Sequence, residues 1–123
     1  MIILVHAAVY LLFVHFFADF ICQSDNMALN KSSNNKFLTI HILTYSSVLL
    51  LGSLPLLVVF SFASIAGFVA MNAVAHWITD YFTSRLAGKL FKQGKRHEFF
   101  VVIGFDQFLH VAALAYSAFA VFQ

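Results

Sequence analysis

Long apolar stretches alternate with shorter polar ones along the chain. The apolar stretches lie at about 1–22, 37–52, 56–83 and 99–122, and the polar ones lie at 23–36 and 89–98. A short break at Gly52–Pro55 separates the second apolar stretch from the third, because proline disfavours helix at the residue before it. Apolar runs of about 18 residues or more are typical of transmembrane helices. The pattern therefore predicts one all-α domain, residues 1–123, in which four transmembrane helices form a bundle.

Composition supports a membrane location. Hydrophobic residues make up 62% of the chain and charged residues 10%, whereas about a quarter of a soluble domain is charged. The net charge of +2 is too small for a nucleic-acid-binding surface. The single cysteine, Cys22, excludes an internal disulfide and a metal cage built from cysteines. No basic residue precedes Lys31, so we expect the first apolar stretch to be a retained helix and not a cleaved signal peptide.

The basic residues predict an orientation. All seven fall in or beside the two polar stretches that a four-span topology places on one side. By the positive-inside rule that side is cytoplasmic. We therefore expect a multi-pass protein of the bacterial inner membrane with both termini outside. The seven residues are Lys31, Lys36, Arg85, Lys89, Lys92, Lys95 and Arg96. For the run KQGKR at 92–96, topology and attraction to anionic lipid are the expected explanation, with a specific phosphate contact as the alternative.

Ionisable residues recur within the apolar stretches at a fixed spacing. The pattern HxxxD occurs on the first and third spans, its reverse occurs on the fourth, and a lone histidine lies on the second. A spacing of four places both residues of a pair on one helix face. At a rise of about 1.5 Å per residue, all of them fall within about 16 Å of the cytoplasmic ends. Because His and Asp are common zinc ligands, we predict a metal centre at His15, Asp19, His41, His76, Asp80, Asp106 and His110.

The number of ligands suggests the chemistry. Seven ligands exceed the need of one tetrahedral ion, so we expect two zinc ions, with manganese or another divalent metal as the alternative. Two ions sharing a bridging carboxylate are typical of phosphoester hydrolysis, and this assigns catalytic roles to Asp80 and Asp106. Partners that orient the ligands would be Gln23, Asn72, Thr79 and Gln107. Asp25 and Arg85 would meet a substrate head group at the cytoplasmic mouth, although Asp25 could instead cap a turn.

These expectations lead to a function. We expect a membrane-embedded hydrolase that cleaves a phosphoester or phosphoanhydride of a lipid or lipid-linked substrate at the cytoplasmic leaflet, in a chain that could form a homodimer. Three alternatives stay open. The polar residues could be interhelical hydrogen-bonding partners without a metal, they could form the path of a small ion carrier, or the chain could be a non-enzymatic phage or bacterial protein that binds an envelope component.

Several segments also resemble a known family. HFFADF at 15–20, SDNMALNKS at 24–32, HWITDY at 76–81 and FDQFLH at 105–110 resemble family 3307 of the domains of unknown function, small bacterial and phage membrane proteins. The resemblance covers nearly the whole chain and implies no activity. The HxxxD helices are more loosely similar to membrane-bound metal-dependent hydrolases and to the zinc-dependent phospholipase C and nuclease superfamily. That similarity implies zinc ligands at His15, Asp19, His76, Asp80, Asp106 and His110.

Overall fold

Helices account for most of the chain. The computed structural model describes the backbone of residues 2–122 and the side chains of residues 5–122, and within that range it contains no β-strand. The prediction of an all-α protein is therefore confirmed. The helices are α1 (Ile2–Phe16), α2 (Asp25–Asn30), α3 (Asn35–Ser53), α4 (Phe62–Lys92) and α5 (Arg96–Val121).

Three helical segments are long and apolar enough to cross a membrane: Asn35–Val58, Phe62–Lys92 and Arg96–Val121. The segment Val5–Ile21 is apolar but shorter, so the fourth span and the bundle stay predictions. The break after α3 also differs in detail from the expected one. Pro55 lies in a 3-10 turn, Leu54–Val58, that continues α3, and α4 begins only at Phe62, where the side chain of Ser61 accepts a 3.1 Å hydrogen bond from Ser64 N.

The turn between α4 and α5 depends on one glycine. Gly94 has a φ of +70°, a conformation that residues with a Cβ rarely adopt. It allows Lys95 N to donate to Leu90 O and Gly94 N to donate to Phe91 O, both at 3.0 Å. These bonds satisfy the last carbonyls of α4, and the chain reverses directly into α5.

The long helices pack in sequence, α5 against α4, α4 against α3, and α3 against α1. Gly52 lies directly against α1, because a Cβ there would lie 2.5 Å from Val14 Cγ1. Tyr10 on α1 donates a 2.7 Å hydrogen bond to Gly52 O. The small residue thus lets the two helices pack tightly near the end that lies away from the basic loops.

The distribution of polarity is the reverse of that in a soluble protein. Large apolar side chains such as Phe13, Phe100 and Phe119 are 62%, 68% and 73% exposed, while most of the buried polar residues are those predicted as ligands. An apolar exterior around a partly polar interior suits a lipid surrounding. The apolar core comprises Leu11, Val14, Ala18, Tyr45, Leu49, Ile65, Phe68, Val69 and Leu114.

Candidate metal centre

All seven residues predicted as ligands are buried, with at most 9% of each residue exposed. They come from four segments: α1 with the turn that follows it, α3, α4 and α5. Burying so many carboxylates and imidazoles is costly unless each is paired or bound to an ion. Their partners therefore decide what the cluster can do.

Asp19 lies in an irregular part of the first apolar helix. Residues Phe17–Ile21 form a π-helical turn, closed by a 3.0 Å hydrogen bond from Cys22 N to Phe17 O. Such wide turns are rare and occur often at functional sites. Asp19 reaches His41 and His76, whereas His15 Nδ1, on the regular part of the helix, lies 3.0 Å from Tyr45 Oη. The two residues of the first HxxxD pair therefore have different neighbours.

Four side chains meet at nearly equal distances. Asp19 Oδ1 lies 3.1 Å from His41 Nε2 and 3.2 Å from His76 Nε2, and the two nitrogens are 3.3 Å apart. Asp80 Oδ2 lies 3.4 and 3.6 Å from the same two nitrogens. Tetrahedral zinc with bonds of about 2.0–2.1 Å separates its ligand atoms by about 3.3–3.4 Å. We call Asp19, His41, His76 and Asp80 the tetrahedral group, because five of the six distances between its ligand atoms are close to the edges of such a site. Asp19, His41 and His76 form the compact trio of this group, and Asp80 approaches the trio through the two imidazole nitrogens.

Asp80 also faces a second set of ligands. Its Oδ1 lies 3.5 Å from His110 Nε2, and His76, Asp80 and His110 are close enough to hold an ion. The two oxygens of one carboxylate thus point to different partners, as in a bridging ligand. His110 Nδ1 lies 3.4 Å from Asp106 Oδ2, yet neither nitrogen of His110 makes a hydrogen bond, and His15 Nε2 is also buried without one. Buried nitrogens without partners are unusual, and a bound cation would satisfy them.

Two neighbours hold the carboxylates in place. Gln107 Nε2 donates to Asp19 Oδ2 and to Asp106 Oδ2, both at 3.1 Å. Thr83 Oγ1 donates to the other oxygen of Asp106. Gln107 therefore contacts two candidate ligands, as a partner that orients them should. Thr83 was not among the predicted site residues.

The other three predicted partners have different surroundings. Asn72 Nδ2 donates to Phe68 O at 2.8 Å and to Ser117 Oγ at 2.6 Å, so it links α4 to α5 and contacts no candidate ligand in these bonds. Gln23 Oε1 is buried without a hydrogen-bond partner. Thr79 lines a groove between α4 and α5, and the roles assigned to all three stay predictions.

The residues predicted to meet a substrate lie on the side of the basic loops. Asp25 is exposed in the first turn of α2, where it suits the positive end of the helix dipole. Arg85 donates to Tyr81 O at 2.8 Å and to Asn35 Oδ1, and its guanidinium lies 3.8 Å from the centre of the Tyr81 ring. Arg85 also lines a pocket of about 380 Å³ with Lys89 and Lys92, which places it where an anionic head group could bind.

Lys31 was predicted only as a determinant of topology, but it contacts the cluster directly. Its Nζ lies 2.8 Å from Asp80 Oδ2, and its side chain is 18% exposed. The short helix α2 ends just before it and so returns the loop toward α4. The sequence feature that could have pointed to Lys31 is the SDNMALNKS segment at 24–32, which contains this lysine. With neutral imidazoles, three carboxylates (Asp19, Asp80 and Asp106) and one ammonium leave a charge of −2, which one divalent cation would neutralise.

Comparison with known proteins gives a family and no activity. The family model described as "Protein of unknown function (DUF3307)" matches residues 7–123. The chain belongs to this family. The matched range includes every candidate ligand of this DUF3307 chain. No curated protein and no solved structure matches the chain, so the looser similarity to metal-dependent hydrolases finds no support in these comparisons.

Proposed function

We propose that this DUF3307 protein is a membrane-embedded hydrolase that depends on a divalent metal and cleaves a phosphoester or phosphoanhydride in an amphipathic substrate at the cytoplasmic leaflet. The observation that carries the proposal is the tetrahedral group. Five distances between four buried ligand atoms, which come from three separate parts of the chain, lie between 3.1 and 3.6 Å. These distances suit zinc, and the group leaves a negative charge that a cation would balance.

A divalent ion in this position would supply Lewis-acid chemistry at a phosphate and would activate water near neutral pH. The protein's own groups account for the other requirements of the reaction. Asp80 would link the tetrahedral group to His110, Gln107 and Thr83 hold the carboxylates, and Lys31 provides a cation beside Asp80 that could bind a phosphate oxygen. The only glutamate, Glu98, lies in the first turn of α5 near the polar loop, which agrees with a mechanism that needs no additional glutamate as a base.

The proposal includes a membrane arrangement. Four spans would place the polar segments at 23–36 and 89–98 in the cytoplasm and both termini outside, in the bacterial inner membrane. Val5–Ile21 would serve as the first span together with the residues before it. The cluster would then lie in the cytoplasmic half of the membrane, within reach of a lipid head group.

The number of ions follows from the charge. One divalent ion in the tetrahedral group would offset the −2 charge of the three aspartates and Lys31. The second group shares His76 and Asp80 with the first, and one imidazole nitrogen cannot bind two ions. A second zinc would therefore depend on His110, the free Oδ1 of Asp80 and the unpartnered His15 Nε2. We propose one firmly bound ion, with a second position that fills at higher metal concentration.

Elemental analysis of protein purified without chelators tests the proposal. We expect at least one zinc or manganese per chain, together with metal-dependent release of phosphate from a panel of lipid phosphates. Asp80→Asn serves as the metal-site variant, and Glu98→Gln removes an exposed carboxylate outside the cluster as the control. The proposal would be wrong if the protein bound no metal after incubation with zinc and showed no activity.

One observation favours a small ion carrier as a second candidate. Buried polar side chains continue from the cluster toward the other membrane face, namely Ser53, Asn72 and Ser117. Against this, a nearby cavity of about 140 Å³ toward that face, between α1 and α5, is lined entirely by apolar residues, among them Leu11 and Leu114. Cation flux into proteoliposomes, blocked by Asn72→Leu, would favour the carrier over the hydrolase.

A further inference from the structure

Three cavities on the cytoplasmic half meet at the cluster. The innermost is a small cavity of about 50 Å³ that exposes Asp80 and Asp106 beside Lys31, Thr83 and Ser84. It is the point at which the carboxylates of the cluster face open space. Whatever reacts at the metal centre would place its reacting group here.

An apolar groove reaches this cavity from one side of the α4–α5 contact. Its volume is about 430 Å³, and Thr83, which also lines the small cavity, lies at its inner end. The walls include Phe82, Leu86, Val101 and Phe105, whose exposed fractions are 66%, 49%, 55% and 56%. Because these residues belong to the apolar exterior, the groove opens toward the bilayer.

A second groove, which is lined mostly by apolar residues but contains two lysines, reaches the same cavity from the other side of that contact. It has a volume of about 450 Å³ and shares Lys31 and Ser84 with the small cavity. Its outer end contains Lys92, which also lines the neighbouring pocket that holds Arg85 and Lys89. Lys31 thus lies at the cluster, and Lys92 lies where this groove adjoins a pocket that holds two further cations.

We propose that the substrate is a lipid phosphate whose apolar chain lies in the groove lined by Leu86, while its phosphate lies in the small cavity beside Lys31 and the rest of its anionic head group extends toward Lys92. This inference rests on the proposed function and deepens it, since it names the substrate class. Only the second groove contains cationic side chains, and each groove shares lining residues with the small cavity at the carboxylates. A molecule with one apolar end, one anionic end and a phosphate between them matches that order.

The arrangement also explains the depth of the site. A chain that enters from the bilayer gains little hydrophobic free energy, since lipid tails are as apolar as the groove. Groove contacts therefore serve to position the phosphate, and charge contacts serve to recognise it. A soluble phosphate ester could reach Lys31 but would leave the apolar groove empty, so it should bind weakly and without regard to the groove.

Binding of a non-hydrolysable long-chain alkyl phosphonate to the protein in nanodiscs, with zinc present, tests the assignment. Leu86→Trp fills the apolar groove, and we expect it to raise the dissociation constant of the phosphonate about tenfold. The control is Leu43→Trp, on a leucine of α3 that is 62% exposed and lines neither groove. Lys92→Gln should weaken binding about threefold, while Lys95→Gln, on an exposed lysine outside the grooves, should leave it unchanged.

The outcomes separate this inference from the proposed function. If the protein has no hydrolytic activity but its phosphonate binding responds to Leu86→Trp and Lys92→Gln, the lipid phosphate assignment stands and the proposed hydrolase function is wrong. If metal-dependent hydrolysis is equally fast with a short aryl phosphate and is unchanged by Leu86→Trp, the proposed hydrolase function stands and the lipid phosphate assignment is wrong. Equal weakening by Leu86→Trp and Leu43→Trp would also overturn it, because the effect would not depend on the groove.

Discussion

Replacement of Lys31 by methionine should distinguish a metal centre from a cluster of ion pairs. The substitution keeps most of the apolar stem and removes the ammonium that lies 2.8 Å from Asp80 Oδ2. Removing one partner of a buried ion pair costs about 3–5 kcal/mol. Because the Lys31 side chain is 18% exposed, water offsets part of that cost. We expect the metal-free protein to lose about 3 kcal/mol of its free energy of unfolding.

The metal-loaded protein should respond differently. A divalent ion in the tetrahedral group would itself neutralise Asp80, so the loss of Lys31 would cost little once the ion is bound. The free energies of unfolding of the two loaded proteins should therefore converge. Convergence requires that the variant bind the metal more tightly, by about a hundredfold, since 3 kcal/mol corresponds to about two powers of ten.

Unfolding in detergent provides the assay, because Trp77 is the only tryptophan and its Nε1 lies 3.3 Å from Thr39 Oγ1, where it reports on the contact between α3 and α4. Each protein is unfolded with a chelator and again with zinc, and zinc affinity is measured by competition. Lys36→Met is the control, because Lys36 is exposed in the same polar segment, and we expect its effect to stay within about 0.5 kcal/mol.

The opposite result would refute the reasoning. If Lys31→Met lost the same stability with chelator and with zinc, the ammonium would be the counter-charge that Asp80 needs in the working protein. The cluster would then be a set of interhelical ion pairs and hydrogen bonds, and the proposed metal would have no support.

The other predictions concern ligands, topology and pH. Asp80→Asn should abolish bound zinc and activity together, whereas Gln107→Ala should lower metal affinity about 10–100-fold; full metal content in Asp80→Asn would contradict the bridging role. In a Cys22→Ser background, a cysteine at residue 93 should react only with a label added from the cytoplasmic side, and a reporter fused after residue 123 should be periplasmic. Activity should rise through one deprotonation near pH 7, disappear with a chelator and return with one divalent metal; turnover indifferent to chelation would exclude the mechanism.

The candidate ligands could be predicted from the sequence because their spacing is a local property. A separation of four residues places His76 and Asp80 on one face of a helix whatever the rest of the chain does. Burial of ionisable residues in apolar stretches is expensive, and this cost brings such faces together. All seven residues are buried as expected, although the sequence could not decide which pairs of atoms meet.

The contact of Lys31 could not be predicted, because it depends on the path of a loop. In the sequence, Lys31 and Asp80 are separated by two predicted spans. Their meeting requires α2 to form as a six-residue helix, Asp25–Asn30, that turns the chain back toward α4. Helices of this length depend on tertiary contacts more than on propensity. A positive-inside count assigned this lysine to the membrane surface and missed its second role.

The π-helical turn at Asp19 ties these points to the function. An HxxxD motif on a regular helix would place His15 and Asp19 side by side, and the same ion would be expected to bind both. Instead Asp19 lies with His41 and His76, while His15 lies with Tyr45 and keeps its Nε2 unpartnered. Wide turns are rare and occur often at functional sites. Asp19 thereby joins His41 and His76 in the tetrahedral group, and His15 is left beside His110, whose ring centre lies 5.8 Å away, where the proposed second metal position would lie.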